Sequence, residues 1–372
     1  MIFVTLSVLA VAGSLFLLAT RGLQYGIDFR GGADVVLRFA EKRSIDDIRQ
    51  MLSQSGLEGA QIQSLGGTTD AGNNDVLIRV PPRGTASDAE ADLEQGDVSG
   101  RVLQALRKGV PPGGKVDLNI LGEGDLERAL QAAFSGQETM VHNAATAIMR
   151  QRDAQGGLFK DVEEARRVQG VSPEVASWLR DSATVGGFAI RSVDYVGPSV
   201  GKELKKKAMW AVIFSLVAML VYIVVRFNRF SMGISAILTL AHDAIVALGA
   251  VSLTGKEFDL TVLAAVLTIV GYSINDTIVI FDRVRENLSL RKGGDLEKLF
   301  NDSINQTLGR TILTSLLVLM VVLTLWLFGG SRLNPFSFTL LVGVISGSYS
   351  TIYVSSPIVI WWQKYVQGRQ RA

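Results

Sequence analysis

Two charged residues stand where charge is expensive. Asp276 interrupts the apolar run Gly271-Tyr272-Ser273-Ile274-Asn275-Asp276-Thr277-Ile278-Val279-Ile280, and Arg310 belongs to the next apolar stretch. A charged side chain at the centre of a bilayer costs at least about 2.5 kcal/mol unless it is paired, protonated or wetted. The chemistry that suits such residues is the carriage of a proton or ion, or a polar contact between helices. Eighteen residues separate Phe258 from Asp276, and eighteen separate Arg310 from Phe328. On antiparallel helices rising about 1.5 Å per residue, both groups lie roughly 27 Å from the same membrane surface, which predicts a pair. The plainer reading is a polar side chain that glues one helix to its neighbour. Tyr272, Ser273, Asn275 and Thr277 around the carboxylate, with Ser346, Gly347, Ser348, Ser350, Ser355 and Ser356 further on, favour close, hydrated contacts and a proton path.

His242-Asp243 forms a second polar pair within the apolar stretch Leu240–Leu248. It reads equally as a proton relay or as a contact that caps or bonds a neighbouring helix. Other chemistries fit poorly, and no enzyme is expected. No GxxxxGK[ST] phosphate loop occurs, and Gly249…Gly255-Lys256-Glu257 has the wrong spacing. No HExxH occurs, and two histidines with no cysteine make poor zinc ligands, so neither metal nor cofactor is expected. An intramembrane serine protease would need a base, and His242 is its sole candidate, His142 lying in a polar stretch. Gly26-Ile27-Asp28-Phe29-Arg30-Gly31-Gly32 reads as a tight glycine turn that starts a strand.

The elements that must position these residues are apolar helices. Of 372 residues 48% are hydrophobic, and the net charge is +2. The apolar residues concentrate in Met1–Thr20, Ala208–Val225, Met232–Leu253, Leu260–Phe281, Thr311–Phe328 and Phe336–Trp362. Each is close to the roughly 20 residues that cross a bilayer of about 30 Å. No Lys or Arg precedes Arg21, so the first stretch is read as an uncleaved anchor rather than a signal peptide. Lys and Arg crowd three segments: Arg226 and Arg229; Arg283, Arg285, Arg291, Lys292 and Lys298; and Lys364, Arg369 and Arg371. The opposite short loops hold only Lys256 and Arg332. The three basic segments therefore face the cytoplasm, with residues 363–372 as a cytoplasmic tail, and Arg21–Lys207 lies outside despite Lys205–Lys207.

The external region reads as an α+β domain. Asp34–Phe39 alternates as a half-buried strand, Ser44 caps a helix that Gly56 ends, and Ala60–Leu65 and Asp75–Val80 are strands around a Gly/Asn-rich turn. Val80–Gly96 reads as a loop and Val98–Lys108 as a helix. One more strand, Val116–Leu121 or Phe188–Tyr195, completes a βαββαβ ferredoxin-like unit. Gly122–Gly186 is a helical insertion: Asp125–Arg152 is interrupted at Gly136, and Ser172-Pro173 starts a further helix. The fold class is a six-helix polytopic membrane protein with an external ferredoxin-like domain, and the last five helices (208–362) form a bundle.

With these residues in hand, the chain resembles the SecF family of bacterial protein export, within the resistance-nodulation-division superfamily. The resemblance rests on Gly26–Gly32, Val196–Leu204 with Gly197-Pro198, Leu240-Ala241-His242-Asp243, Gly271–Asn287 and Asn305–Thr311. It implies a bacterial inner-membrane, multi-pass subunit with a periplasmic loop that pairs with SecD. Such a subunit promotes late-stage export using the proton-motive force, with Asp276 and Arg310 as its proton relay. Gly26, Asp28, Gly31, Gly32, Gly197 and Pro198 mark the junctions between the external domain and the spans. The implied partners are SecD, the SecYEG translocon, SecA, YajC and YidC, together with an unfolded translocating chain and membrane lipid, and no nucleic acid. The length of Gly122–Gly186 departs from the family's pattern. Rival readings are a small-molecule or lipid exporter half of the same superfamily and a translocon assembly factor without proton flow.

Overall fold

Apolar runs of this length must be satisfied by helices, whose backbone groups pair internally. The computed structural model describes residues 2–65, 74–81, 100–106, 115–290 and 295–371. In order these form α1 Ile2–Thr20, β1 Gln24–Tyr25, α2 Ile27–Arg30, β2 Gly32–Phe39, α3 Ile45–Ser53, β3 Gln61–Ser64, β4 Asp75–Val80 and α4 over residues 100–106. There follow β5 Val116–Asp117, α5 Glu123–Ala133, α6 Glu138–Ala154, α7 Val162–Arg166, α8 Pro173–Ser182, β6 Ala183–Thr184 and β7 Phe188–Val196. The remainder is α9 Pro198–Phe227, α10 Phe230–Thr254, β8 Glu257–Phe258, α11 Leu260–Leu290, α12 Leu296–Phe328, α13 Gly330–Ser350, a π-helical turn Thr351–Ser355 and α14 Ser356–Arg371. Six helices among the described residues are long and apolar enough to cross a membrane, the last running from α13 through the π turn into α14. The protein is a multi-pass membrane protein. Its chain divides into Met1–Phe29 with Lys202–Ala372, and Arg30–Gly201.

In the first unit α11 is central, packing on α10, α12 and α13. Gly343 and Gly347, one turn apart on α13, make that approach possible. A Cβ on Gly343 would run into Ile269, and one on Gly347 would stand 3.2 Å from the Ser273 Cβ. Several helices outrun the predicted spans. α9 begins at Pro198 rather than Ala208, α11 continues past Phe281 to Leu290, and α12 begins at Leu296 rather than Thr311. Hydropathy falls where charges appear, but the ladder continues wherever one face still packs. Val284, Leu299 and Phe300 on these extensions share a core with Phe281.

The second unit holds a four-stranded antiparallel sheet in the order β3-β4-β2-β7, the ferredoxin-like arrangement. Of the two candidates for the fourth strand, Phe188–Val196 takes the place beside β2. Val116–Leu121 extends only over Val116–Asp117, which pairs in parallel with β6. Beyond Asp117 the chain turns, because Leu118 and Asn119 are drawn into the insertion. Val35, Leu37 and Phe39 point into the core with Ile48, Leu52 and Ile78. On the other face Arg79 meets Asp34 at 2.8 and 2.7 Å, and Arg38 meets Asp75 at 2.6 and 2.7 Å. These bidentate pairs join directly opposed residues and fix the strand register. The Gly/Asn-rich turn, Val80–Gly96 from residue 82 onward, both ends of Val98–Lys108, and Arg291 with Lys292 lie outside the described residues.

The insertion has its own core of Leu118, Leu126, Leu130, Ile148, Phe159 and Leu179. The interrupted helix is two, α5 and α6, and Ser172 caps α8 with Pro173 in its first turn. Asn119, buried beneath it, donates to the carbonyls of Phe159 (3.0 Å) and Gly186 (2.8 Å) and accepts from the Phe159 N–H (2.8 Å). Removing it strands three backbone groups. In a soluble fragment of residues 30–201, Asn119→Ala is expected to cost about 2–4 kcal/mol, at roughly 1–3 kcal/mol per unsatisfied buried group with partial relaxation. Urea denaturation of the two fragments measures it.

Candidate functional site

The buried polar groups of the helical unit gather around two carboxylates. Asp243 on α10 is fully buried, and four donors reach it. Its Oδ1 accepts from Ser346 at 2.7 Å and lies 3.0 Å from His242 Nδ1. Its Oδ2 accepts from Ser273 at 2.7 Å and Ser350 at 2.8 Å. Ser273 belongs to α11, and Ser346 and Ser350, one turn apart, belong to α13. The carboxylate thus ties three helices together with two donors on each oxygen. His242 Nε2, at the far side of the ring, is buried without a hydrogen-bond partner.

Asp276 lies on the buried face of α11, three residues after Ser273, and keeps 3% of its surface exposed. Two groups of α12 act on it: the Ser315 hydroxyl hydrogen-bonds it, and the Arg310 charge reaches it without closing an ion pair. The predicted Asp276–Arg310 contact is thus electrostatic proximity rather than a closed ion pair, and Arg310 is on the exposed surface of the chain. Asn275 is exposed as well, because a helix turns adjacent residues to different faces. Ser315 also accepts from Tyr272 Oη and from Ser348, each at 2.9 Å, which joins α11, α12 and α13. Ser315 is not singled out by sequence, because a serine in a membrane helix is cheap and common and gives no signal like that of Asp276.

Below these layers the π turn completes the helix seam. Ser235 on α10 donates to the Ser355 carbonyl at 2.6 Å, and Thr351 lies 3.4 Å from Thr277. π turns recur at functional positions in helices. The glycine motif divides between two places. Gly31 and Gly32 meet Gly197-Pro198: a Cβ on Gly31 would stand 2.9 Å from the Pro198 Cα, and Gly32 opposes Val196 across β2 and β7. Gly26 and Asp28 instead engage the start of α11, where Asp28 accepts from the Leu260 N–H at 2.9 Å. The motif is therefore not one tight turn but a short helix, Ile27–Arg30, between two anchorages.

Asp243→Ala is expected to lower the unfolding temperature of the detergent-solubilised protein strongly, since it orphans four donors. Asp243→Asn falls between, because one acceptor oxygen becomes a donor, and Tyr272→Phe, losing one hydroxyl bond, shifts least. Intrinsic-fluorescence melting curves rank the three.

Comparison with known proteins agrees with this architecture. Residues 167–365 match the family described as protein export membrane protein SecD/SecF, C-terminal, and residues 16–42 match the SecD/SecF GG motif. The protein translocase subunit SecF of Koribacter versatilis is 40% identical over 347 residues, 91% of this chain and 83% of that protein. That of Pseudomonas aeruginosa is 34% identical over 360 residues, 96% and 87% of the two chains. The crystal structure of SecDF from Thermus thermophilus, described as a translocon-associated membrane protein, superposes with a TM-score of 0.64 at 29% identity. The match covers 97% of this chain but 37% of that one, so this chain spans just over a third of the solved SecDF protein. On helices, glycine motif and relatives alike, the chain belongs to the SecD/SecF family of protein-export membrane proteins.

Proposed function

We propose that this chain is a proton-motive-force-driven accessory subunit of the Sec translocon, acting with a SecD partner in late-stage protein export across the bacterial inner membrane. The observation that carries the reading is the contrast between the two buried carboxylates. Asp243 has every acceptor position filled and serves as a fixed tie, with His242 held against it. Asp276 is buried with fewer partners, the Ser315 hydroxyl and the charge of Arg310, both from α12. It is the carboxylate left to take and release a proton. The relatives' name, translocase subunit, and the two-part SecDF protein support a working pair, this chain supplying one half.

The energies are matched. One proton falling through 100 mV supplies about 2.3 kcal/mol, close to the cost of about 2.5 kcal/mol or more for holding a charge at mid-membrane. Protonation removes the charge on Asp276 and with it the hold of Arg310; release restores both. Each state favours its own packing of α11 against α12. Residues 21–207 lie on the periplasmic side, by the lysine and arginine distribution, where they meet the emerging chain. SecYEG, SecA, YajC and YidC are the further partners of this reading.

Asp276→Asn keeps the volume and removes the titrating group. In inverted membrane vesicles with an imposed proton gradient it is expected to abolish the gradient-dependent part of export while leaving insertion intact. Arg310→Ala and the double variant complete a cycle: strong non-additivity is expected of coupled residues. Wild-type export by the Asn variant assigns the chain to structural assembly instead.

A further inference from the structure

The first half of the glycine motif forms a dense joint at the start of α11, the helix that carries Asp276. β1 pairs in parallel with β8, Gln24 opposite Glu257 and Tyr25 opposite Phe258. The Gly26 N–H donates to the Phe258 carbonyl at 3.0 Å, and a Cβ on Gly26 would stand 3.1 Å from the Asp259 Cβ. The Phe29 ring stacks on Phe258 with centroids 5.3 Å apart. The first N–H groups of a helix have no partner within it. Here two carboxylates share them: Asp259 Oδ1 accepts from Val262 at 2.8 Å, and Asp28 Oδ2 accepts from Leu260 at 2.9 Å. Asp28 comes from 232 residues away in sequence, so its bond serves tertiary attachment as well as capping. Its negative charge also suits the positive end of the helix dipole.

We propose that Asp28 is a positioning residue that locks Gln24–Phe29 to the start of α11 as one rigid piece. Motion of the helix bearing Asp276 is thereby delivered along the chain to Arg30, where the second unit begins. This inference rests on the proton-driven reading above. Sixteen residues lie between the Leu260 amide and Asp276, a strut of about 24 Å at 1.5 Å per residue. A loose joint would waste the displacement before it left the helix.

The chain has no cysteine, so a pair can be introduced cleanly. Gln24→Cys with Glu257→Cys places two thiols at opposed positions of the parallel pair, within disulfide reach. The complex carrying this pair, oxidised, is expected to export at the rate of its reduced form, because a rigid joint never opens. Asp28→Ala is expected to lower proton-driven export roughly five-fold, the factor equivalent to a lost N-cap of ~1 kcal/mol, with the complex still assembled. Asp28→Asn, whose side-chain carbonyl can cap, restores most of it. Hydrogen exchange over residues 24–29 and 257–263 provides a readout independent of export: protection falls in Asp28→Ala and returns in Asp28→Asn. Export blocked by the disulfide, or unchanged exchange protection in Asp28→Ala, overturns the proposal. Asp276→Asn, measured in parallel, separates the two ideas: normal export there defeats the proton reading, while exchange still judges the joint.

Discussion

A carboxylate cannot be left bare among apolar helices, and the bundle is arranged around how it meets that constraint at Asp243. One acidic side chain on α10 draws Ser273 from α11 and Ser346 and Ser350 from α13. Hydroxyls only reach it if the helices approach closely, which is why glycines stand at the contact between α11 and α13. Buried charge, small residues and close packing are thus one requirement expressed three times. Because Ser273 is three residues from Asp276, the tie at Asp243 also fixes where the second carboxylate sits.

The second unit meets the same problem differently. Its mostly buried charges are paired across adjacent strands, where Arg38–Asp75 and Arg79–Asp34 keep the sheet in register. Its insertion is held by Asn119, a neutral amide that bridges two backbone segments. Neither part needs a disulfide, since each has a core of its own. Asp117, buried beside Asn119, adds a carboxylate that accepts from the Asn119 and Gly186 N–H groups at 3.1 and 2.9 Å.

The six spans were legible because hydropathy is a sum over many residues and survives errors in any one. Their polar extensions were not, since a helix such as Leu296–Arg310 is held by one buried face that a hydropathy average dilutes. The alternation in Phe188–Tyr195 and in Val116–Leu121 looked alike; only long-range pairing with β2 distinguishes them. At the site, Asp276 announced itself by its cost. Asp243 was read as a relay or a helix contact alike; its partners were not legible, because they lie 30, 103 and 107 residues away and serines are common in membrane helices. Asp28 was visible as part of a motif, but its partner, a backbone amide at the start of α11, leaves no mark in a sequence.

The π turn at Thr351–Ser355 has a mechanical meaning beyond its hydrogen bonds. It inserts surplus backbone into an otherwise regular ladder, as an extra half-plane of atoms is inserted into a crystal. Such a dislocation divides the last membrane helix into two lengths, α13 and α14. On either side of it α13 and α14 both pack on α10, the helix of Asp243, so the surplus is absorbed between two lengths that share a neighbour. In metals, slip begins at defects of this kind because shifting one row is cheaper than shearing a whole plane. A helix built with a dislocation already in place has its plane of slip chosen in advance.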